Sequence, residues 1–210
     1  MTTKEAENIY KKLSTAHPQA ECELSYNTPF QLLVAVILSA QCTDARVNKV
    51  TEKTFKVLDT PEKYATLTEE ELIPYIKSCG FFNNKARNII AMSKEIVEKY
   101  GGEVPKDFDA LTALPGVGRK TASVVSAVAF GIPSVPVDTH VYRVAHRLGI
   151  SDGKTPFDVE KDIKNIFPSE CWNSLHHYMI FHGRYVCHSR RPDCENCTLR
   201  ENCKYYKEER

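Results

Sequence analysis

Four of the chain's eight cysteines fall within CHSRRPDCENCTLRENC, where Cys187, Cys194, Cys197 and Cys203 stand at a C-x6-C-x2-C-x5-C spacing. Four thiolates this close in sequence suit either tetrahedral zinc or an iron–sulfur cluster, and the spacing alone leaves both open. Only one C-x2-C is present, whereas zinc knuckles come in pairs. The same stretch carries His188, Arg190 and Arg191, so whatever the thiols hold would shape a basic loop. A second stretch, LTALPGVGRKTASVVSAVAFG, brackets the apolar Val117 between Gly116 and Gly118. Two glycines there let backbone N–H groups at a helix start approach a phosphate, although a lone G-x-G is more often a plain helix–helix turn. Arg119 and Lys120 follow at once, in the first helical turn. The helix dipole opposes cations at that end by about 0.3–1 kcal/mol each, a local cost that an anionic polymer outside would offset.

Lys120 is a nucleophile only if neutral. A lysine's reference pKa is about 10.4, and the dipole lowers it by less than about one unit, so an apolar cleft would have to supply the rest. Without one, Lys120 reads as a phosphate contact. In SVPVDTHVYRVAHRLG, Asp138 precedes a helical pattern. Such a carboxylate caps the helix, and it can also stabilise a developing cation. The seven histidines show no metal-binding spacing; His176, His177 and His182 read as core or surface residues. Cys22, Cys42, Cys79 and Cys171 read as small core residues.

The elements that position these residues are helices. Thr28-Pro29, Thr60-Pro61 and Thr155-Pro156 each offer a cap followed by proline at the first helical position. Thr28 with Gln31, and Thr68 with Glu71, fit the capping box. Apolar residues recur at helical spacing, as in Leu72, Ile76 and Cys79 or Val141, Val144 and Leu148, and stops stand at Gly80, Gly101-Gly102, Gly131 and Gly149. The pattern predicts an all-α fold of about ten helices joined by short loops. With 210 residues, the chain can bury a sizeable core as one domain or two. Its net charge of +1 announces no nucleic-acid partner, so any basic surface must be local. The polar start MTTKEAENIYKK and the short longest apolar run, LLVAVIL, predict a soluble intracellular protein with reduced thiols and no membrane association.

LPGVGRKTA, VPVDTH, LSAQCTDARVNKV and the four-cysteine tail together resemble the endonuclease III family of the helix-hairpin-helix DNA glycosylase superfamily, from about Pro29 to Cys203 and in the family's order. The resemblance implies a monomeric base excision repair enzyme, cytoplasmic and associated with the nucleoid through DNA. It would remove oxidised pyrimidines from duplex DNA and nick the abasic strand 3′ to the lesion by β-elimination. Lys120 would be the Schiff-base nucleophile and Asp138 the catalytic carboxylate. Cys187, Cys194, Cys197 and Cys203 would hold one 4Fe–4S cluster, and the loop 187–203 would meet the DNA backbone. Gln41 and Phe81 would fill the gap left by the extruded base; relatives often carry leucine where this chain has Phe81. Gly116, Val117, Gly118, Arg119, His140, Arg190 and Arg191 would complete the DNA contacts. The implied architecture is a six-helix barrel over 22–132, with the hairpin motif at about 107–130, and a cluster domain of 1–21 plus 133–210, with the active cleft between them.

Several rivals are open to test. Adenine glycosylases of the superfamily carry a large further C-terminal domain, whereas this chain stops at residue 210, seven after Cys203. Monofunctional mismatch thymine glycosylases lack a lysine at the Lys120 position. A photodimer-directed glycosylase of the same superfamily is a further alternative, since the lesion preferred is not written in the sequence. A non-catalytic iron–sulfur DNA-binding protein, or an electron carrier, would have no need of Lys120 and Asp138 together.

Overall fold

The computed structural model describes residues 1–209. Among the described residues there are twelve α-helices, two 3-10 turns and no strand. They form two compact units, Glu23–Phe130 and Met1–Cys22 with Gly131–Arg210.

The first unit contains α2 (Pro29–Ser39), α3 (Asp44–Thr54), α4 (Pro61–Ala65), α5 (Glu69–Ile76), α6 (Phe82–Tyr100), α7 (Phe108–Ala113) and α8 (Arg119–Phe130). Phe30 to Leu38 of α2 are all buried, so this helix is enclosed on every side, by α3, α6 and α8. Each large apolar side chain fully buried in this way contributes about 1.5–3 kcal/mol. The long helix α6 buries one stripe, Ala86, Ile89, Ile90, Ser93 and Ile96, and packs on α4 and α5.

The second unit begins with α1 (Thr3–Ala16) and resumes with α9 (Thr139–Leu148), α10 (Pro156–Ile166), α11 (Trp172–Tyr185) and α12 (Lys204–Glu209). Here α9 is central, packing on α10, α11 and α12, while α1 packs on α11. Ile9 and Leu13 share a core with Val141, Val144, Val159, Ile163, Leu175 and Met179.

Several local expectations need correction. Gln31 does not close a capping box: its Oε1 accepts from Asn27 N at 2.8 Å, one residue before the cap, while Thr28 Oγ1 accepts from Gln31 N at 3.2 Å. Thr68 and Glu71 do form the reciprocal pair. Thr60 starts α4 without a side-chain capping bond. The helix expected to stop at Gly80 ends earlier, α5 closing at Ile76, and the residue after Gly80, Phe81, is left-handed at φ 56 as the N-cap of α6. Of the four cysteines assigned to the core, only Cys79 is buried, and Cys22, Cys42 and Cys171 are half-buried.

Candidate nucleic-acid interface and catalytic residues

In the first unit, the turn from α7 to α8 runs through Leu114-Pro115-Gly116-Val117-Gly118. Val117 is buried and its N–H donates to Leu114 O at 3.1 Å, which fixes the turn from inside. Gly116 has internal reasons to be glycine, because φ is +76 and a Cβ there would stand 2.7 Å from Asn88 Cβ. Gly118 has none of these: its φ is ordinary and a Cβ would meet nothing within 4 Å. Its missing side chain leaves the start of α8 open to an approach from outside, where the first-turn N–H groups point. Lys120 is exposed in that turn. Arg119 places its guanidinium 5.1 Å from the centre of the Phe108 ring.

Gln41 and Phe81 also lie in this unit, and their backbones explain more than their side chains. Ser39-Ala40-Gln41-Cys42 is a turn of type II shape: Ala40 has φ −57 and ψ 115, Gln41 has φ 52, and Cys42 N donates to Ser39 O at 3.0 Å. The third position of such a turn calls for glycine, yet it holds an exposed glutamine. Phe81 repeats the anomaly at φ 56, ψ 33, with the residue 63% exposed. A Cβ on Gly80 would lie 3.7 Å from Gln41 O, so the two loops are neighbours. Arg191, at φ 53, is the third non-glycine residue with positive φ among the described residues. Such residues are uncommon and strained, and strain of this kind concentrates where side chains are presented to ligands.

Lys85 was not among the expected site residues. It is buried at 5% exposure and donates from Nζ to Leu38 O at 2.9 Å and Ala40 O at 2.8 Å. Burial lowers its pKa, while the thiols of Cys79 and Cys42 act in the opposite direction. Burial also pushes the Cys79 thiol up to about 11, with the neighbouring Cys42 adding to the effect. An enclosed amine bonded to two carbonyls is a poor candidate for nucleophile.

In the second unit Asp138 is the N-cap of α9, its Oδ1 accepting from His140 N at 2.9 Å and Val141 N at 2.8 Å. Those bonds fix the carboxylate's orientation. His140, half-buried, faces Arg143 Nη2 at 3.2 Å through Nδ1. Arg143 and Arg147, one turn apart on α9, were missed by sequence reasoning. Arg143 donates to Cys187 O at 3.0 Å and Gly183 O at 2.8 Å. Arg147 donates to His188 O at 2.7 Å and Ser189 O at 3.1 Å, and it stands 4.6 Å from the Tyr205 ring centre. The helix that Asp138 caps therefore also ties down the start of the cysteine loop. Arg190 and Arg191 are exposed beyond those anchors.

Cys187, Cys194, Cys197 and Cys203 line one cavity together with Arg147, His182, Tyr205 and Tyr206. Among the described residues no three His, Cys, Asp or Glu side chains are gathered as the ligands of a single ion. Burial, and then the neighbouring thiols, raise the pKa values of Cys197 and Cys203. Turning such thiols into thiolates requires positive charge at the cavity. Arg147 supplies some, its Nη1 lying 3.3 Å from Cys187 Sγ. His182 is buried against Cys197, with Nε2 3.6 Å from Sγ. The donor set, enclosure and cationic neighbour fit a metal centre held by four thiolates. No helix among the described residues is long and apolar enough to cross a membrane.

Residues 34–169 match the HhH-GPD superfamily of base excision DNA repair proteins. The chain is 50% identical to an Endonuclease III of Rickettsia conorii over 198 residues, which is 94% of each chain. It is also 50% identical to an Endonuclease III of Bacillus subtilis over 205 residues, covering 97% of this chain and 94% of the relative. A solved structure described as a trapped endonuclease III–DNA covalent intermediate superimposes with a TM-score of 0.95 at 47% identity, covering 100% of this chain and 99% of the other. A thermostable thymine-DNA glycosylase shares the fold, with a TM-score of 0.88 at 23% identity over 97% of each chain.

Proposed function

From the premise that the chain belongs to the HhH-GPD superfamily of base excision DNA repair proteins, and within it to the endonuclease III family, we propose how its residues divide the work. It is a DNA glycosylase and abasic-site lyase acting on damaged duplex DNA. Its substrates are oxidised pyrimidines. The unit 23–130, with seven helices where six were expected, is the domain with the hairpin, and the unit of 1–22 with 131–210 is the cluster domain.

Gly116, Val117 and Gly118 present the amides of the hairpin to a phosphate, with Arg119 beside them. Arg190, Arg191 and His140 add contacts from the other unit. Gln41 and Phe81 occupy the space of the extruded base, whose unstacking costs a few kcal/mol, less when the base is damaged. Lys120 attacks C1′ of the damaged nucleoside, the glycosidic bond breaks, and the base leaves. Covering of the exposed amine by the bound duplex supplies the desolvation that a lysine nucleophile needs. The resulting Schiff base permits β-elimination on the 3′ side. Asp138, held by two backbone N–H groups, stabilises the positive charge that develops as the bond breaks.

The four cysteines hold a 4Fe–4S cluster, which when bound fastens the loop 187–203 in shape. Arg143 and Arg147 orient the loop's first residues, and Arg147 shares the charge of Cys187. Protein purified without added metal should be brown, with about four irons and four sulfides per chain. Stoichiometric zinc in colourless, air-free preparations would contradict this assignment.

The observation that supports the reading best is the backbone: Gln41, Phe81 and Arg191, all exposed, stand in a conformation that costs stability and presents side chains outward. The test is a panel of duplexes with a single thymine glycol, oxidised cytosine or pyrimidine photodimer, scored separately for base release and strand cleavage. Release coupled to cleavage on the first two is expected. Release without cleavage would make the enzyme monofunctional, and binding without either would make it an inert binder.

A further inference from the structure

The reaction proposed above leaves one buried charged group unused. Lys85 lies near the start of α6, inside the first unit, where a lysine is rarely found without a partner. Its ammonium accepts no role from solvent; it donates to the carbonyls of Leu38 and Ala40, at 2.9 and 2.8 Å. These belong to the C-terminal end of α2, where carbonyls lack intrahelical partners and the dipole favours a cation. The next residue is Gln41, at φ 52. The backbone of Lys85 makes a second link, because its N–H donates to the carbonyl of Phe81, at 3.1 Å. One residue thus grips the loop before Gln41 with its side chain and the left-handed Phe81 with its main chain.

Each left-handed residue costs about 1–2 kcal/mol relative to ordinary backbone, so neither conformation persists unless its surroundings hold it. Neither loop shows a glycine at the strained position or a side-chain cap that would do so. We propose that Lys85 is a positioning residue that sets Gln41 and Phe81 together as one rigid wedge, so that both enter the duplex at the same time. This rests on the reading of Gln41 and Phe81 as the wedge. Lys85 touches no DNA in this account; it acts through the two loops.

The test uses the full-length, cluster-loaded protein and a duplex with 2-aminopurine opposite a non-cleavable abasic analogue. Insertion of the wedge unstacks the fluorescent base, and its emission rises. Lys85→Met keeps an unbranched side chain, one bond shorter, and removes the donors. Lys85→Gln has the same reach as the Met variant but keeps a polar head, too short to span both carbonyls. Both variants should bind the duplex within about threefold of the parent, since phosphate contacts dominate affinity, while the fluorescence rise falls threefold or more. On a thymine-glycol duplex kcat should fall about tenfold with KM little changed, the pattern of an interaction made only as the base leaves the stack. If Lys85→Met fails to fold, Lys85→Gln is read alone. A Gln41→Ala, Phe81→Ala double variant is the control. If the double variant keeps the full fluorescence rise, the wedge reading is wrong. If it loses the rise while the folded Lys85 variants keep it, the wedge stands and the role of Lys85 is refuted.

Discussion

Replacing Gln41 by glycine and, separately, by alanine divides backbone strain from side-chain function. At φ 52 an L-residue pays about 1–2 kcal/mol that glycine does not. Glycine in turn loses about 0.5–1 kcal/mol to the greater freedom of its unfolded chain. The difference leaves the glycine variant about 0.5–1 kcal/mol more stable than the alanine variant, the reverse of the order at an ordinary helical or extended position. At 2–4 °C per kcal/mol for a chain of this size, that is a melting gap of about 1–4 °C. Gln41 is exposed, so neither change removes buried apolar area that would confuse the comparison. Both variants lose the wedge and should excise thymine glycol more slowly, about tenfold, in single-turnover assays. The same arithmetic predicts no gain at Phe81. With 63% of the residue exposed, roughly a third of a phenylalanine's 150–250 Å² is buried, worth about 1.5–2 kcal/mol, which cancels the relief of strain. An alanine variant at position 41 that melts above the glycine variant would refute the strain argument. Unchanged excision by both would refute the wedge.

Other consequences follow from the second unit. Arg191→Ala should weaken binding to all sequences alike and reduce the magnitude of the log–log salt slope by about 0.9, one phosphate's worth; an unchanged slope removes Arg191 from the interface. Asp138→Asn should keep the melting temperature, since asparagine caps a helix as well as aspartate does, yet slow excision by about two to four orders of magnitude. Asp138→Ala should lose about 1 kcal/mol of stability as well, and an active, stable Asn variant would reduce Asp138 to a cap. Burial lowers the pKa of His177 below its usual 6.5, outweighing the opposite pull of Glu21. The unfolded chain therefore takes up this proton first, so stability falls as pH drops through about 6.5 and levels off below the folded value. His177→Gln should flatten that part of the pH–stability curve, and an unaltered slope would show the group to be unperturbed.

The helical class was legible because caps, prolines and apolar spacing are local signals; Thr28, Thr68 and Thr155 all cap as their sequences suggest. What escaped is non-local or violates a local preference. Lys85, Arg143 and Arg147 owe their roles to carbonyls at least 40 residues away, and nothing beside them in sequence marks those partners. Gln41 and Phe81 occupy backbone that a sequence reader assigns to glycine; α5 ends at Ile76, before the stop expected at Gly80, and Phe81 instead starts α6. Gly118 was visible in the G-x-G pattern, but only the open space around it separates its role from that of Gly116.

The most direct measurement is borohydride trapping on thymine-glycol and abasic duplexes, followed by peptide mapping of the adduct. A covalent protein–DNA product should form with the parent and map to Lys120. Lys120→Gln should form none, while still binding a non-cleavable abasic duplex within about tenfold, or 1.4 kcal/mol, because the phosphate contacts survive. An adduct mapped to Lys85, the N-terminus or any other amine would contradict the account.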